Sequence, residues 1–497
     1  MKLIKKIAAI MFAFMMVVSM SCNVKADEGT TPTTGKTGTI TINNAIPEQT
    51  YTIYKILDLE SYSPKVENGK ETGNFAYKPS SEWESFINGK NVKDKYFTFE
   101  GEYVSWKENA DPAEFAKLAL DYAKTNSKAN QGSVTASSTP VQFTGLGLGY
   151  YLVDSSVGTL CSLDTTKPAA TIQEKNGVPS VDKIITSGGV VSADGKSNSA
   201  SIGDTVNFKT TITAQPGAQN YVLHDKMTDG LTFNNTVEVK KGKSTVESSK
   251  YTLNTTGLTD GCAFEIEFTQ DFCDTLNAND TITVTYSAVL NEKAEIGNVD
   301  NNTNETWLKY GDSKNTQHKT TTTKTFEMNV FKFYKDKKNS DTETGLAGAT
   351  FKLTKDSQDV VNIGFVKTSN ETDTDDVYRV AKRGETGTVA TITSPKSGKF
   401  TIQGLGAGTY YLTETKQPDG YNKLSGPVTV VIDKDGQVKV KNGDAYDEVT
   451  QVKVENKSGT VLPSTGGMGT TMIYLVGAVL VLGSGVVLAT KRRVKNK

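Results

Sequence analysis

Residues 404–412 read Gly-Leu-Gly-Ala-Gly-Thr-Tyr-Tyr-Leu, and a near copy, Gly-Leu-Gly-Leu-Gly-Tyr-Tyr-Leu, occupies residues 145–152. In each copy a glycine-rich turn leads directly into aromatic and aliphatic residues that favour a β-strand. Two copies this far apart in the chain indicate a repeated module, because a solenoid would repeat at a much shorter period. We therefore predict that residues 27–176 and residues 326–458 form modules with the same topology.

Alternation of apolar and polar residues, the period of a half-buried strand, dominates the rest of the chain. It is clear at residues 201–208 and 281–286, in a middle module, residues 177–325, that has no helical pattern. Many short strands without helices are typical of a β-sandwich. The predicted fold class is therefore all-β, with β-sandwich modules in tandem.

One short helix is predicted in the first module, over residues 111–128. Pro112 suits its first turn, where a backbone N–H would have no partner within the helix. Three large apolar residues recur at helical spacing and are predicted to face the core: Phe115, Leu118 and Tyr122.

The C-terminus, residues 459–497, combines a proline-containing motif, an apolar run and a basic tail. The apolar run at residues 471–490 is long enough to cross ~30 Å of hydrocarbon as a helix, and the basic residues after it favour the cytoplasmic side. Proline cannot continue a helix, so the motif is predicted to stay extended and open to an enzyme. An ordinary single-pass anchor is the alternative. The motif consists of Leu462, Pro463, Ser464, Thr465 and Gly466.

The N-terminus has lysines followed by an apolar stretch, the pattern of a secretory signal peptide over residues 1–26. Cys22 leaves a lipoprotein as an alternative, although Ser19 stands where a lipobox usually has leucine. Removal of residues 1–26 and of the chain after Thr465 takes away nine of the 55 Lys and Arg and none of the 56 Asp and Glu, which leaves a net charge near −10. This acidic exterior argues against nucleic acid as a partner.

Cysteine and histidine are scarce in the exported part. Three cysteines remain there, Cys161, Cys262 and Cys273, so at least one is free. A bond between Cys262 and Cys273 is opposed by the strand-like residues 263–268 between them. The sequence has no metal-ligand spacing and no Ser/His/Asp or Cys/His pattern, so we predict no metal, no cofactor and no enzyme activity on external substrates.

Two further segments carry a family resemblance: residues 345–353, Gly-Leu-Ala-Gly-Ala-Thr-Phe-Lys-Leu, and residues 411–421, Tyr-Leu-Thr-Glu-Thr-Lys-Gln-Pro-Asp-Gly-Tyr. They resemble the start and the E-box of CNA-B-type domains in major pilins of Gram-positive bacteria. The C-terminal motif resembles the LPxTG sorting signal of the same surface proteins. The resemblance covers almost the whole exported chain and implies tandem immunoglobulin-like, CNA-type domains at the cell wall. It also implies that a sortase cuts between Thr465 and Gly466 and passes the threonine carbonyl to an amine.

In that family, a lysine of the first strand and an asparagine of the last strand form an isopeptide bond beside the E-box acid. The resemblance assigns these roles to Lys332, Asn456 and Glu414, with Lys335 as the alternative amine. Burial would lower the pKa of the lysine and raise that of the acid, so a neutral amine would attack while the protonated acid hydrogen-bonds the amide carbonyl. A salt bridge without a covalent bond is the alternative.

The resemblance places a second set in the middle module. It assigns Lys183 as the amine, Asp225 as the acid and Asn304 as the amide. The asparagine-rich run before Asn304 leaves Asn302 and Asn301 as alternatives.

In the first module the repeat puts Asp154 in the place of Glu414, and the resemblance implies a bond between Lys55 and Asn176. A separate, exposed lysine is needed for polymerisation. Lys175 is the candidate, although the family's Tyr-Pro before this lysine is replaced here by Gln-Glu.

The resemblance therefore implies the backbone subunit of a covalent pilus at the Gram-positive cell surface. The alternative is a wall-anchored adhesin, or a minor pilin, that does not polymerise. The implied partners are further copies of the chain joined head to tail, pilus-specific and housekeeping sortases, the peptidoglycan precursor, minor pilins and a host receptor. Bonds that close whole domains would stabilise each by ~4 kcal/mol, by analogy with disulfides.

Overall fold

The computed structural model describes residues 31–32, 37–63, 66–67, 70–71, 74–156, 158–165, 169–297, 300–336, 339–357, 362–459 and 468–494. The predicted signal peptide and the motif at residues 462–466 lie outside the described residues. Strands dominate the described part, which confirms the all-β fold class, and their sheets fall into three successive groups.

The first group joins two main sheets, a two-stranded ribbon of β4 and β5, and three helices. One sheet has the order β12-β11-β3-β6-β8-β7, with β1 and β9 also paired to β3, and the other has the order β10-β2-β13. Apolar residues from both sheets, including Ile40, Ile53 and Val153, form a core between them. The elements are β1 (Thr31–Pro32), β2 (Thr37–Asn43), β3 (Thr50–Ser63), β4 (Val66–Glu67), β5 (Lys70–Glu71), β6 (Asn74–Pro79), α1 (Glu84–Ile87), α2 (Lys90–Tyr96), β7 (Phe97–Glu100), β8 (Tyr103–Trp106), α3 (Pro112–Thr125), β9 (Gly132–Thr135), β10 (Val141–Gly147), β11 (Gly149–Ser155), β12 (Gly158–Thr165) and β13 (Ala169–Gln173).

The helices cover the outer face of the larger sheet. Helix α3 covers Pro112–Thr125 within the predicted residues 111–128, with Pro112 in its first turn as predicted, whereas α1 and α2 were not predicted from the sequence. Phe115 is buried, but Leu118 is 43% exposed, which corrects the predicted helix face. The buried face is lined mainly by small residues, so a search for large apolar residues misplaced it. Its members are Phe115, Ala116, Ala119, Leu120 and Ala123.

The second group is a two-sheet sandwich. Its sheets have the orders β14-β17-β23-β19-β20 and β15-β16-β26-β24-β18-β22-β21, with β25 paired to β24. The elements are β14 (Ser180–Ser187), β15 (Val190–Val191), β16 (Ser197–Ser199), β17 (Thr205–Thr213), β18 (Val222–Met227), β19 (Leu231–Lys241), β20 (Ser244–Thr245), a 3₁₀ turn (Ser248–Lys250), β21 (Tyr251–Asn254), β22 (Phe264–Phe268), α4 (Gln270–Cys273), β23 (Thr281–Leu290), β24 (Thr303–Tyr310), β25 (Lys314–Asn315) and β26 (Lys319–Lys324).

The third group is a second sandwich. Its sheets have the orders β28-β27-β33-β31-β30, with β38 also paired to β27, and β32-β29-β34-β35-β36-β37. The elements are β27 (Phe326–Asp336), β28 (Asn339–Gly345), β29 (Thr350–Lys355), β30 (Phe365–Lys367), β31 (Asp376–Val380), β32 (Ile392–Thr393), β33 (Lys399–Leu405), β34 (Gly408–Lys416), β35 (Val428–Ile432), β36 (Val438–Asn442), β37 (Ala445–Glu448) and β38 (Val452–Glu455).

The first and third groups share their central pairings, as the repeat predicts. Strand β2 pairs antiparallel with β10 and parallel with β13, and β27 pairs antiparallel with β33 and parallel with β38. In the opposite sheets, β11 pairs with β3 as β34 pairs with β29. Thus β27 corresponds to β2, and β29 corresponds to β3.

The glycines of residues 404–412 have a second role, because they face the middle sandwich. The Ile202 N–H donates to the Gly404 carbonyl oxygen at 2.9 Å. A Cβ at Gly404, where φ is +86°, would lie 2.6 Å from the Ile202 side chain, and a Cβ at Gly406 would lie 2.8 Å from the Ala200 backbone. Both positions therefore require glycine, and the second and third sandwiches share one apolar core across this contact.

The chain ends in helix α5 (Met468–Val494). Residues 472–492 of this helix have a mean hydropathy of 2.4 and are long and apolar enough to cross a membrane. This finding confirms the predicted C-terminal apolar helix.

Candidate functional site

The third sandwich buries Lys332, Glu414 and Asn456 next to one another. Lys332 lies on β27, Glu414 on β34, and Asn456 directly after β38, so the parallel pairing of the first and last strands brings the lysine and the asparagine together. The Lys332 Nζ contacts Asn456 Oδ1 and lies 3.9 Å from Glu414 Oε1, while Asn456 Nδ2 donates to Glu414 Oε2 at 3.2 Å. All three side chains are almost completely shielded from solvent.

Burial changes the chemistry of this lysine. Loss of solvent lowers the pKa of Lys332 to about 8, and the charge of Glu414 opposes that shift only in part. Oε1 of Glu414 has no hydrogen-bond partner among the described residues. The alternative amine, Lys335, is exposed on the same strand and has a different cross-strand neighbour, Glu343.

Glu414 contacts the side-chain amide of Asn456 at a different atom from the predicted one. The predicted contact was from Glu414 to the carbonyl oxygen of Asn456, but the structure places the Lys332 amine on that oxygen. Glu414 Oε2 instead accepts from Asn456 Nδ2 and from the Leu424 N–H, at 2.9 Å from the latter. The acid therefore stands beside the nitrogen that would leave as ammonia.

The middle sandwich buries a second set that contains Lys183, Asp225 and Asn304. The Lys183 Nζ lies 2.5 Å from Asp225 Oδ2, and all three side chains have no exposed surface. Burial lowers the pKa of Lys183 to about 8 and raises the pKa of Asp225, so both shifts favour the uncharged pair. Oδ1 of Asn304 is buried and has no hydrogen-bond partner among the described residues.

Tyr286 completes this set and was missed by the sequence reasoning. Its hydroxyl group contacts both Lys183 Nζ and Asp225 Oδ2, and Asn304 Nδ2 donates to it at 3.4 Å. Burial next to Asp225 raises the pKa of Tyr286 well above its usual value, so it remains a hydroxyl. Its position was visible in the alternation of residues 281–286, where it follows Ile282 and Val284 on the inward face.

The two alternative asparagines of the middle module point elsewhere. Asn302 is buried, but its side chain accepts from the Glu295 N–H at 2.8 Å and donates to the Glu295 carbonyl at 2.9 Å. Asn301 is exposed and contacts the Glu295 carboxylate. Of the three asparagines, Asn304 is the one that reaches Tyr286 and the lysine–acid pair.

In the first module the predicted trio of Lys55, Asp154 and Asn176 is not assembled. Lys55 lies on β3, which corresponds to β29, whereas Lys332 lies on β27; strand β2, the true counterpart of β27, contains no lysine. The Lys55 Nζ pairs instead with Asp58 at 2.5 Å. The side chain of Asn176 lies against Gly217, in the loop between β17 and β18 of the middle sandwich.

The prediction aligned Asp154 with Glu414 because the two repeat copies differ in length by one residue before their tyrosine pairs. The Tyr151 hydroxyl donates to the Gly147 carbonyl at 2.7 Å, as the Tyr410 hydroxyl donates to the Gly406 carbonyl at 2.7 Å. Counting from these matched tyrosines puts Ser155, and not Asp154, at the position of Glu414. Because side chains alternate along a strand, Asp154 faces the opposite side of the sheet.

Asp154 lies instead at a polar contact between the first and second modules. Its carboxylate is 3.1 Å from Lys124 Nζ, which also lies 2.7 Å from Asp312 of the middle sandwich. Burial raises the pKa of Asp154 to about 6, although Lys124 opposes the shift. This acid therefore helps to join two modules.

Lys175, the candidate polymerisation lysine, is exposed between β13 and β14. Thr465 lies outside the described residues. Cys262 and Cys273 are both free, so the bond between them that the sequence disfavoured is not formed.

Two family models match the C-terminal third of the chain. A prealbumin-like fold domain, SpaA, matches residues 332–445, and an LPXTG cell wall anchor motif matches residues 454–497. A fimbrial subunit type 1 from Actinomyces viscosus is 38% identical over 86 residues, which cover 17% of this chain and 15% of that protein. The aligned segment thus spans less than a sixth of the curated relative.

Most of the chain also has the fold of a known pilin. The T6 backbone pilin of serotype M6 Streptococcus pyogenes, with a modular three-domain structure, matches with a TM-score of 0.52 and 16% identity, over 86% of this chain and 99% of that chain. The major pilin SpaA of Corynebacterium diphtheriae matches with a TM-score of 0.46 and 13% identity, over 85% and 100%. With the anchor motif, the match to the T6 pilin confirms the predicted resemblance: the chain is a wall-anchored surface protein with a pilin fold.

Proposed function

We propose that this chain is the backbone subunit of a covalent pilus, crosslinked internally by isopeptide bonds in its second and third modules. The observation that carries the proposal is that each of these modules buries a lysine, an acid and an asparagine in one cluster, which in the middle module is connected through the Tyr286 hydroxyl. Buried charges of this kind are costly unless they are fully paired. An uncharged amide between lysine and asparagine removes that cost, which gives the arrangement a chemical purpose.

In the third module, the neutral amine of Lys332 attacks the side-chain carbonyl carbon of Asn456. A bond forms between Nζ and Cγ, the bond between Cγ and Nδ2 breaks, and ammonia leaves. Glu414 is placed to give its proton to Nδ2 and to take up the proton that the amine loses. Because the fold holds the groups in contact, the reaction needs no separate catalyst.

In the middle module, Lys183 and Asn304 react in the same way. Asp225 and Tyr286 together occupy the place that Glu414 fills in the third module, and the tyrosine hydroxyl links the acid to the amide nitrogen. Among the described residues of the first module no such set is assembled, and we propose no bond there.

Polymerisation would use groups outside the modules. A sortase would cleave after Thr465 and transfer its carbonyl to the exposed Lys175 of the next copy. Because donor and acceptor are different groups of the chain, each copy can join one copy through Thr465 and another through Lys175, so the contact is head to tail and a fibre grows. Housekeeping sortase would attach the last subunit to the peptidoglycan precursor, and minor pilins would occupy the ends.

The crosslinks are tested by the intact mass of the exported chain. We expect a deficit of two ammonia molecules from the sequence mass. Lys332→Ala and Lys183→Ala should each reduce the deficit from the variant's sequence mass to one ammonia molecule. The matched controls Lys335→Ala and Asn302→Ala should leave the deficit at two. A chain that weighs the sum of its residues would refute the crosslinks.

Polymerisation is tested separately on denaturing gels of wall extracts. We expect a high-molecular-weight ladder that disappears in Lys175→Ala and in Thr465→Ala but persists in Lys335→Ala. If the ladder disappears in Thr465→Ala but persists in Lys175→Ala, Lys175 is not the acceptor. A single band for the unaltered chain would favour an adhesin that does not polymerise.

A further inference from the structure

The outer face of the middle sandwich brings together a histidine, a cysteine and two carboxylates that the crosslinking chemistry does not use. His224 on β18 and Glu265 on β22 are direct cross-strand partners. Asp260 and Cys262 lie on the segment that leads into β22. This set, His224, Asp260, Cys262 and Glu265, is called the outer cluster below. Asp225, next to His224 in the chain, faces the opposite, inner side of the sheet.

Three ligand-type atoms of the outer cluster, on His224, Asp260 and Cys262, lie within 4.8 Å of one another, and Glu265 approaches His224. The His224 Nδ1 lies 2.9 Å from Asp260 Oδ2 and 3.1 Å from Glu265 Oε1, and the Cys262 Sγ lies 3.1 Å from Asp260 Oδ2. The distance from Cys262 Sγ to His224 Nδ1 is 3.9 Å. The three distances among the His224, Asp260 and Cys262 atoms therefore lie between 2.9 and 3.9 Å, and Glu265 adds one contact to His224.

These separations are close to those around a tetrahedral zinc ion. With bonds of about 2.0 Å to nitrogen and oxygen and about 2.3 Å to sulfur, tetrahedral ligands lie about 3.3 to 3.6 Å apart. Side-chain shifts of about half an ångström would therefore accommodate the ion. Nitrogen, sulfur and carboxylate oxygen are also the ligand types that zinc prefers, whereas Ca²⁺ and Mg²⁺ are bound by oxygen.

The surroundings hold three of the ligands in place. The Trp307 ring stacks on the His224 ring, with centroids 5.0 Å apart and planes 5° from parallel. The Cys262 N–H donates to Asp260 Oδ1 at 3.0 Å, which leaves Oδ2 directed at the cluster. His224 is 9% exposed, and its Nε2 has no hydrogen-bond partner among the described residues, so the ring makes its polar contacts through Nδ1.

We propose that the outer cluster binds a divalent transition-metal ion, zinc in the first place, that clamps the segment before β22 to the face of β18. On binding, the Cys262 thiol gives its proton to solvent and forms a sulfur–metal bond. The site does not correspond to a linear sequence motif, because His224 is distant in sequence from the other three residues. The inference is independent of the proposed crosslinking and polymerisation.

The test uses the full chain in detergent, reduced and freed of metal, with Zn²⁺ and Co²⁺ as probes. We expect one tightly held Zn²⁺ per chain after dialysis, and a thiolate-to-cobalt charge-transfer band with Co²⁺. The band should vanish in Cys262→Ser. It should persist in two matched controls, Cys273→Ser, which changes another thiol of the same module, and His318→Gln, which changes the histidine on the other side of Trp307.

Alkylation of the unaltered chain gives a readout that does not depend on the folding of variants. One equivalent of Zn²⁺ should slow alkylation of Cys262 at least about tenfold, because metal-bound thiolate is shielded, and should leave Cys273 unchanged. Equal rates with and without Zn²⁺, or a cobalt band that survives Cys262→Ser, would overturn the proposal.

Discussion

A buried amine that cannot react should make the stability of the third module depend on pH. Asn456→Ala removes the amide and leaves Lys332 in the core beside Glu414. The pKa of Lys332 is about 8 in the folded module, against 10.5 for an ordinary lysine. One pKa unit corresponds to about 1.4 kcal/mol, so the charged amine costs the folded module about 3 kcal/mol.

Whether the free energy of unfolding rises or falls with pH depends on which state binds the proton. Between pH 8 and pH 10.5 the unfolded chain binds this proton and the folded module does not, so stability should rise with pH across that window. Below pH 8 both states carry the proton, and the full cost remains. The variant should therefore gain about 3 kcal/mol between pH 7.5 and pH 10.5 from this group.

Hydrogen exchange of β27 and β34 in a denaturant series, followed by mass spectrometry, would measure the free energy of unfolding of this module alone. The control is the double variant Lys332→Met with Asn456→Ala, which lacks the amine but shares every other titrating group. The difference between the two pH profiles isolates Lys332. Identical profiles would show that the amine is not held in a low-pKa site, and the account of its reactivity would then be wrong.

Three further outcomes are expected. Tyr286→Phe should slow formation of the isopeptide bond in the middle module at least about tenfold, since a buried hydrogen bond to the acid is lost. The mass of newly made chain, followed over time, would measure this rate, and an unchanged rate would contradict a role for the hydroxyl. Lys124→Met should speed hydrogen exchange of α3 at pH 7.5 more than at pH 5, because Asp154, with a pKa of about 6, is charged only at the higher pH; equal acceleration at both pH values would count against it. Gly404→Ala should weaken the contact at Ile202 by about 1–3 kcal/mol through strain and overlap, measured as faster exchange of the Ile202 amide, whereas Gly420→Ala, at an open turn with φ of +84°, should leave that amide unchanged.

Much of the fold followed from periodicity. The glycine-tyrosine repeat predicted the shared topology of the first and third modules, and the alternation of residues 281–286 predicted an inward-facing strand that the structure contains. For the third module, Lys332, Glu414 and Asn456 were named from motifs and meet in the core. This was possible because the motifs of the resemblance mark the segments that carry these residues: β27 for Lys332, β34 for Glu414 and the end of β38 for Asn456.

The first module shows where sequence reasoning stops. The two repeat copies differ by one residue between the last glycine and the tyrosine pair, and a slip of one residue exchanges the two faces of a strand. Asp154 was therefore aligned with Glu414 although Ser155 takes that position. The outer cluster was missed for a different reason: the pairing of β18 with β22 brings His224 to Glu265, and no local pattern records a contact between distant strands.

The joints between the modules differ in kind, and this affects how a filament of such subunits would bend. The second and third sandwiches share an apolar core closed by the Gly404 contact, whereas ion pairs such as Lys124 with Asp312 link the first and second. Ion pairs at a surface weaken as salt screens them, but apolar packing does not. Within each subunit of such a filament, the first joint would then bend more easily as ionic strength rises, whereas the second joint would not.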